Sequence, residues 1–328
     1  MRTELEAAVA DALRAPSVHN SQPWCWRISD DEVRLYADEQ RHLIATDPDR
    51  RDLVLSCGAA LHHLRVALAA RDLAADVHRL PDPEDRTHLA TVTVSRAPHG
   101  GDPAVAALYP AIAARRSDRR RMSRRPIPAD HLQTLVQQAA HHGATLVPVT
   151  HPARRQQLLA VIAEAERLLH EQPGYAGELW SWTHRFPGSH DGVPASHVAT
   201  PTSGTLNLSP LRQFGAAGLA QAPWLPGQGR GDDAAELLVV TTTGDEVIDH
   251  ITAGEATSAV LLAATALGHA TTPLSQALEI DSTRLRVRRD ILHVPEHPQL
   301  VVRVGWPATG APALPATPRR DLRSVLLD

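Results

Sequence analysis

The chain has 328 residues, 43% of them hydrophobic and 21% charged, with a formal net charge of −4. That is ordinary for a globular protein and too apolar for a disordered or fibrous one. All 33 basic residues are arginine, which excludes the phosphate-gripping lysine of a P-loop and the Schiff-base lysine of pyridoxal enzymes. The two cysteines, Cys25 and Cys57, are too few for a disulfide framework and form no CxxC pair.

The length exceeds a usual single domain, so two domains or one fused, duplicated unit is expected. The N-terminal segment is amphipathic and no apolar run is long enough to span a bilayer, which predicts a cytoplasmic protein without membrane partners. In chain order, apolar positions Leu5, Ala8, Val9, Ala12 and Leu13 predict a helix over 4–15, stopped by Pro16. Trp24–Ile28 and Val33–Tyr36 read as strands around a Ser29-Asp30-Asp31 turn, and residues 52–71 as a long apolar helix containing Gly58. Leu89–Ser95 reads as a strand, and the Pro/Gly-rich stretch Ala97–Pro103 as the internal boundary, dividing the chain into 1–103 and 104–328.

Beyond that boundary a similar order begins again. Pro126 and Pro128 open a helix closed by Gly143; Leu146–Val149 is a strand and Arg154–Glu171 a helix. About sixty irregular residues follow, then strand Glu236–Thr243, helix Glu255–Leu267 and strand Leu300–Gly305. The run from Gly58 to Ala70 aligns with the run from Gly254 to Ala266, a glycine leading an Ala/Leu-rich helix and then a strand-like segment. Duplication explains the match; so does the general likeness of alanine-rich helices.

Three segments carry chemistry. The first, APSVHNSQPW from Ala15 to Trp24, ends a helix on a proline turn and presents an asparagine; a bland helix end with a polar loop is the competing reading. The second, Arg115-Arg116-Ser117-Asp118-Arg119, belongs to a run of seven arginines over 115–125. Arginine forks with a hydroxyl suit a phosphate. A solvated basic face is the competing reading, whereas nucleic acid is disfavoured by the acidic total and the absence of interleaved aromatics. The third is Thr272-Pro273-Leu274-Ser275-Gln276, after the helix that ends at Gly268; Pro318-Arg319-Arg320 lies near the C-terminus.

Together these segments resemble the nitroreductases. The resemblance implies an α+β, FMN-dependent fold of two similar halves, each with a mostly antiparallel sheet flanked by helices. It implies that Pro16, Ser17, Val18 and His19 form a wall against the isoalloxazine, with the Asn20 amide donating and accepting at the pyrimidine edge. Gln22, Pro23 and Trp24 fix the turn into the strand. It further implies that Arg115, Arg116, Ser117, Arg119, Arg319 and Arg320 grip the FMN phosphate, and that Ser275 and Gln276 stand where the family runs a backbone loop past flavin N5. Ser275 and Gln276 replace an acidic-glycine pair common in the family.

In homodimeric nitroreductases the arginine arm and the Pro-Ser-x-x-Asn segment of one site come from different subunits. Here the first half has Pro-Ser-x-x-Asn and the second has the arm, which predicts one composite FMN site per chain. That arrangement, with SCGAALHHLRVALAA and the ending HPQLVVRVGWP…TPRRDL, is similar to the Acg subfamily. It implies a monomeric pseudo-dimer with a lid insertion, here about Gly174–Asp233, carrying Trp180, Trp182, Phe186, Phe214 and Trp224.

No metal site is expected. His62/His63 and His141/His142 are adjacent pairs that should face apart, and no Cys or carboxylate spacing supports a zinc site among His184, His190 and His197. Two functions follow: an NADH- or NADPH-dependent oxidoreductase passing hydride through FMN to a nitro, quinone or other small acceptor, with no protein residue assigned as catalytic; or an FMN-sequestering protein whose lid blocks access.

Overall fold

The structure, a computed structural model, describes residues 1–96, 101–186, 188–200, 211–214, 217–221 and 233–327. Helix α1 (Arg2–Ala12) buries Leu5, Ala8, Val9 and Ala12, one face at helical spacing. It leads to strands β1 (Trp24–Ile28) and β2 (Glu32–Ala37), helix α2 (Arg51–Ala69) and strands β3 (Leu73–Arg79) and β4 (His88–Arg96). These strands form an antiparallel sheet in the order β1-β2-β4-β3.

Short helices α3 (Pro103–Ala106) and α4 (Tyr109–Ala114) lead to α5 (Ala129–His141), β5 (Thr145–Pro148), α6 (Pro152–Glu171) and α7 (Tyr175–Thr183). Strand β6 (Glu236–Thr242), helix α8 (Val247–Ala266), strand β7 (Ala270–Leu274), helix α9 (Asp281–Arg286) and strand β8 (His297–Gly305) complete the order. The second sheet runs β5-β6-β8-β7, again antiparallel. Both sheets shift register at matching places, between Leu35 and Tyr36 in β2 and between Val240 and Thr241 in β6. The fold is α+β with two antiparallel sheets flanked by helices, as the sequence predicts.

Helices α2 and α8 form the spine between the sheets. Every residue of α2 except Arg65 is buried, the pattern of a helix covered on all sides. The helices cross backbone to backbone at Gly58 and Gly254: a Cβ on Gly58 would sit 2.3 Å from Ile251 O, and one on Gly254 would sit 2.1 Å from Leu55 O. Only glycine permits that approach.

Several elements depart from the sequence reading. Helix α8 starts at Val247 rather than Glu255, because Glu246 and Asp249 form a reciprocal capping box built from two acids. Helix α7 and a short turn at Ala195–His197 lie inside the stretch expected to be irregular. Helix α9 and the π-helical turn after it, Val287–Leu292, were not anticipated. The chain then returns: Val325 is buried in the first half's core and Leu327 N donates to Trp26 O at 2.8 Å. The expectation that His62 and His63 face apart is corrected. Both Nδ1 atoms lie 2.8 Å from Ser258 Oγ, because the close glycine crossing brings one hydroxyl within reach of two successive residues.

Residues 97–100 of the predicted boundary, and Trp224, lie outside the described residues. Among the described residues no helix is long and apolar enough to cross a membrane.

Candidate functional site

A cavity of about 1020 Å³ of atom-free space, partly open to solvent, lies where the two halves meet. Residues 16–20 form one wall, α2 contributes Asp52, Leu55, Ser56 and Ala59, and α8 contributes Thr257. The opposite side is Arg115, Ser117 and Arg119 together with the chain leaving β7 at Ser275.

The 16–20 wall is shaped by backbone strain. His19, Asn20 and Gln22 have φ of 48°, 55° and 52°, a left-handed conformation that non-glycine residues rarely adopt without compensating contacts. Those contacts are present. Gln22 N donates to Ser17 Oγ at 2.9 Å, Gln22 Nε2 donates to His190 O at 2.8 Å, and Gln22 Oε1 accepts from Arg320 N at 2.9 Å. Gln22 is thus the structural brace the sequence suggests. Asn20 differs from expectation: its Nδ2 donates to Gly192 O at 3.0 Å and Pro318 O at 3.1 Å, which leaves Oδ1 buried without a partner. Asn20 can therefore offer a ligand an acceptor but not a donor.

The arginines show the site's charge. Arg115 is 5% exposed, and its Nε and Nη1 have no hydrogen-bond partner. Arg319 donates to the Arg14 and Ala15 carbonyls at 3.2 and 3.1 Å, and its Nε is unpartnered. Burial, then repulsion from Arg116, pulls Arg115 down to about 10; burial, then Arg115 and Arg116, pulls Arg319 down to about 9. Guanidinium groups stay protonated at neutral pH, so these shifts describe clustered cations lacking an anion. Asp118 does not supply one, because its carboxylate is bound by Arg120 at 2.8 and 2.9 Å. Arg119 donates to His197 O at 3.2 Å and stacks on Phe214 at 5.1 Å; burial and Arg212 draw it down to about 10.

The arm is held from below. Arg303, fully buried on β8, donates to Asp118 O at 3.0 Å and Arg120 O at 2.8 Å and pairs with Asp233. Backbone bonding therefore fixes where Ser117 and Arg119 project. Ser275 Oγ donates to Glu279 Oε1 at 2.6 Å. Thr272–Leu274 is strand rather than loop, and the turn begins only after it, at Gln276–Leu278.

Of the residues singled out from sequence, Pro16, Ser17, Val18, His19 and Asn20 line the cavity, as do Arg115, Ser117, Arg119, Ser275, Gln276 and Arg319. Arg116 and Arg320 do not. Arg116 donates to the Ala113 and Arg115 carbonyls, and Arg320 braces Gln22 and pairs with Asp38 at 3.3 Å.

Sequence reasoning missed the helix walls, whose signal was the face one turn either side of Gly58, and within the expected lid it named Phe214 but not Arg212, which also lines the cavity. Arg212 bonds Glu279 and Tyr175, Gln213 N donates to Glu166 Oε1 at 2.9 Å, and Phe214 meets His19 edge-on at 5.9 Å. Of the insertion's aromatics, Phe214 lines the cavity, whereas Trp180 and Phe186 are 62% and 87% exposed.

The fold and the cavity define an α+β protein with two antiparallel sheets and a pocket lined by buried, unpaired arginine N–H groups. The chain belongs to the nitroreductase family, whose sequence profile matches residues 112–306. The Mycobacterium tuberculosis H37Rv protein named "Putative NAD(P)H nitroreductase Rv3131" is 42% identical over 318 residues, covering 96% of this chain and 88% of that one. "Putative NAD(P)H nitroreductase acg" from the same strain is 35% identical over 323 residues, covering 98% and 94%. The FMN-dependent nitroreductase NfnB of Mycobacterium smegmatis, solved with NADPH, overlaps at TM-score 0.40 and 17% identity, covering 66% of this chain and 96% of that one.

Proposed function

We propose that the cavity holds one FMN and that the protein is an NAD(P)H-dependent oxidoreductase acting on a small acceptor such as a nitro compound or quinone. The observation that carries the FMN reading is the set of buried polar atoms left unpartnered around the cavity: Arg115 Nε and Nη1, Arg319 Nε, Asn20 Oδ1 and Thr257 Oγ1. Native structures rarely leave such groups orphaned, and a ligand would satisfy them. The donor set matches the group's chemistry. Arg115, Ser117 and Arg319 suit a phosphate, while Asn20 Oδ1 suits a ring N–H. His19, in the strained turn, is kept neutral by burial and by Arg212 and Arg119.

FMN would supply hydride transfer when bound. The chain's own residues hold it, set its orientation and limit water at the cavity. The two halves act as a pseudo-dimer within one chain, a reading supported by their identical strand orders and matching register shifts.

A second reading, sequestration of FMN, is favoured by one observation. Residues 211–214 are tied to the cavity rim by Glu279, Tyr175 and Glu166, with Phe214 directed at the wall, as a lid segment would be. Anaerobic mixing of FMN-loaded protein with NADH or NADPH decides between the two. Rapid bleaching supports the oxidoreductase; flavin reduced by dithionite but by neither nucleotide supports sequestration.

A further inference from the structure

The crossing of α2 and α8 relates the halves reciprocally. Gly58 abuts Ile251 O and Gly254 abuts Leu55 O, so each helix offers the other the same two positions, as in an isologous contact. Pairing Leu55 with Ile251 and Gly58 with Gly254 also pairs Ala59 with Glu255 and His62 with Ser258. The last two touch across the axis, Nδ1 to Oγ, at 2.8 Å.

The sheets extend the correspondence. Ala90 partners Leu35, and Leu300 partners Val240, each immediately beside the matching register shift. Arg79 partners Ala90 across β3 and β4, while Leu274 partners Val301 across β7 and β8, so Ser275 comes opposite Leu300. Arg79 is therefore the counterpart of Ser275.

Ala59 and Ser275 both line the cavity. Their counterparts, Glu255 and Arg79, are joined by an ion pair of 2.7 Å. Arg65 binds the other oxygen of Glu255 at 2.9 Å and lies 3.4 Å from His142 Nδ1. Glu255 is 1% exposed. Where the cavity leaves Arg115 and Arg319 without an anion, the counterpart position receives a carboxylate from the chain itself.

We propose that Glu255 is the built-in occupant of a second, pseudo-equivalent pocket, and that Arg65 and Arg79 make this pocket a binding site for small carboxylates once Glu255 is shortened. This rests on the reading that the two halves are equivalent and only one takes FMN. Removing the buried carboxylate leaves Arg65 and Arg79, which are partly open to solvent, without their shared anion, so an external anion of similar chemistry can replace it.

The test compares wild type, Glu255→Ala and Glu255→Gln, each melted in rising sodium acetate and in sodium chloride of equal ionic strength. Both variants lose roughly 5–10 °C in Tm. Acetate restores Glu255→Ala saturably and chloride does not; Glu255→Gln, whose amide still fills the pocket, gains no more than wild type. Equal acetate responses in all three proteins overturn the proposal. If Glu255→Ala is insoluble, its soluble yield with and without acetate during production and lysis becomes the readout, and equal yields overturn it. Flavin per chain, read on the same samples, separates the two claims. A missing flavin with an intact acetate response defeats the FMN reading alone; one flavin per chain without the response defeats the pocket alone.

Discussion

Replacing Arg115 by methionine keeps the buried stem and removes the charge, and it moves two observables in opposite directions. In the FMN-free protein Arg115 is a buried cation with no carboxylate, its Nη2 reaching only the Arg14 carbonyl at 3.4 Å. Its displacement from the ordinary arginine range down to about 10 corresponds to an electrostatic burden on the order of 3 kcal/mol. Arg115→Met relieves part of that burden and removes the repulsion Arg115 exerts on Arg319, so the FMN-free protein melts higher by a few degrees. In the complex, the two unpartnered N–H groups of Arg115 would each make a charge-assisted bond, together contributing about 3 kcal/mol or more. The FMN Kd therefore rises roughly 100-fold. Titration of FMN-free protein by flavin fluorescence, alongside thermal melts, reads both quantities. An unchanged Kd, or a variant that melts lower without FMN, refutes the assignment of Arg115 to an anion site.

Three further outcomes follow from the same structure. Gly58→Ala drives a Cβ into Ile251 O at 2.3 Å and must separate α2 from α8, costing on the order of 3 kcal/mol or more; a melting temperature within a degree of wild type contradicts the crossing. His62 and His63 are buried and His142 is half-buried; all three are held neutral, chiefly by loss of solvent, His63 down to about 3 and His142 to about 4. The unfolded chain takes up these protons near pH ~6.5 and the folded chain does not, so their contribution is complete above pH ~7 and is lost as pH falls from ~6.5 toward ~4, at up to about 4 kcal/mol per unit for three protons. Urea unfolding that shows a flat stability profile over that range refutes it. Phe214→Ala opens the cavity rim, and stopped-flow displacement should show faster FMN release; an unchanged release rate removes residues 211–214 from any gating role.

The parts of the site on continuous segments were legible in the sequence, because chemistry and spacing coincide there. Pro16–Asn20 and the Arg115–Arg119 arm are runs whose residue types suit a turn and an anion, and both reach the cavity. The spent donor of Asn20 was not legible, since Gly192 and Pro318, which take its Nδ2, are remote in sequence. Arg320 illustrates the same limit: nothing local distinguishes an arginine that faces a cavity from one that braces Gln22. Helix α8 was read too short because an acidic capping box lacks the usual Ser or Thr signal. The glycine pair was visible as an alignment, but its meaning, two backbones in contact, required the packing of one helix on the other.

The central claim is that one FMN sits between the two halves of this chain. Equilibrium dialysis of the wild-type protein against FMN, with chain concentration and bound flavin measured independently, tests it most directly. One flavin bound per chain, falling sharply in Arg115→Met at the same free FMN, is the predicted result. No bound flavin, two per chain, or full occupancy indifferent to Arg115 would contradict it.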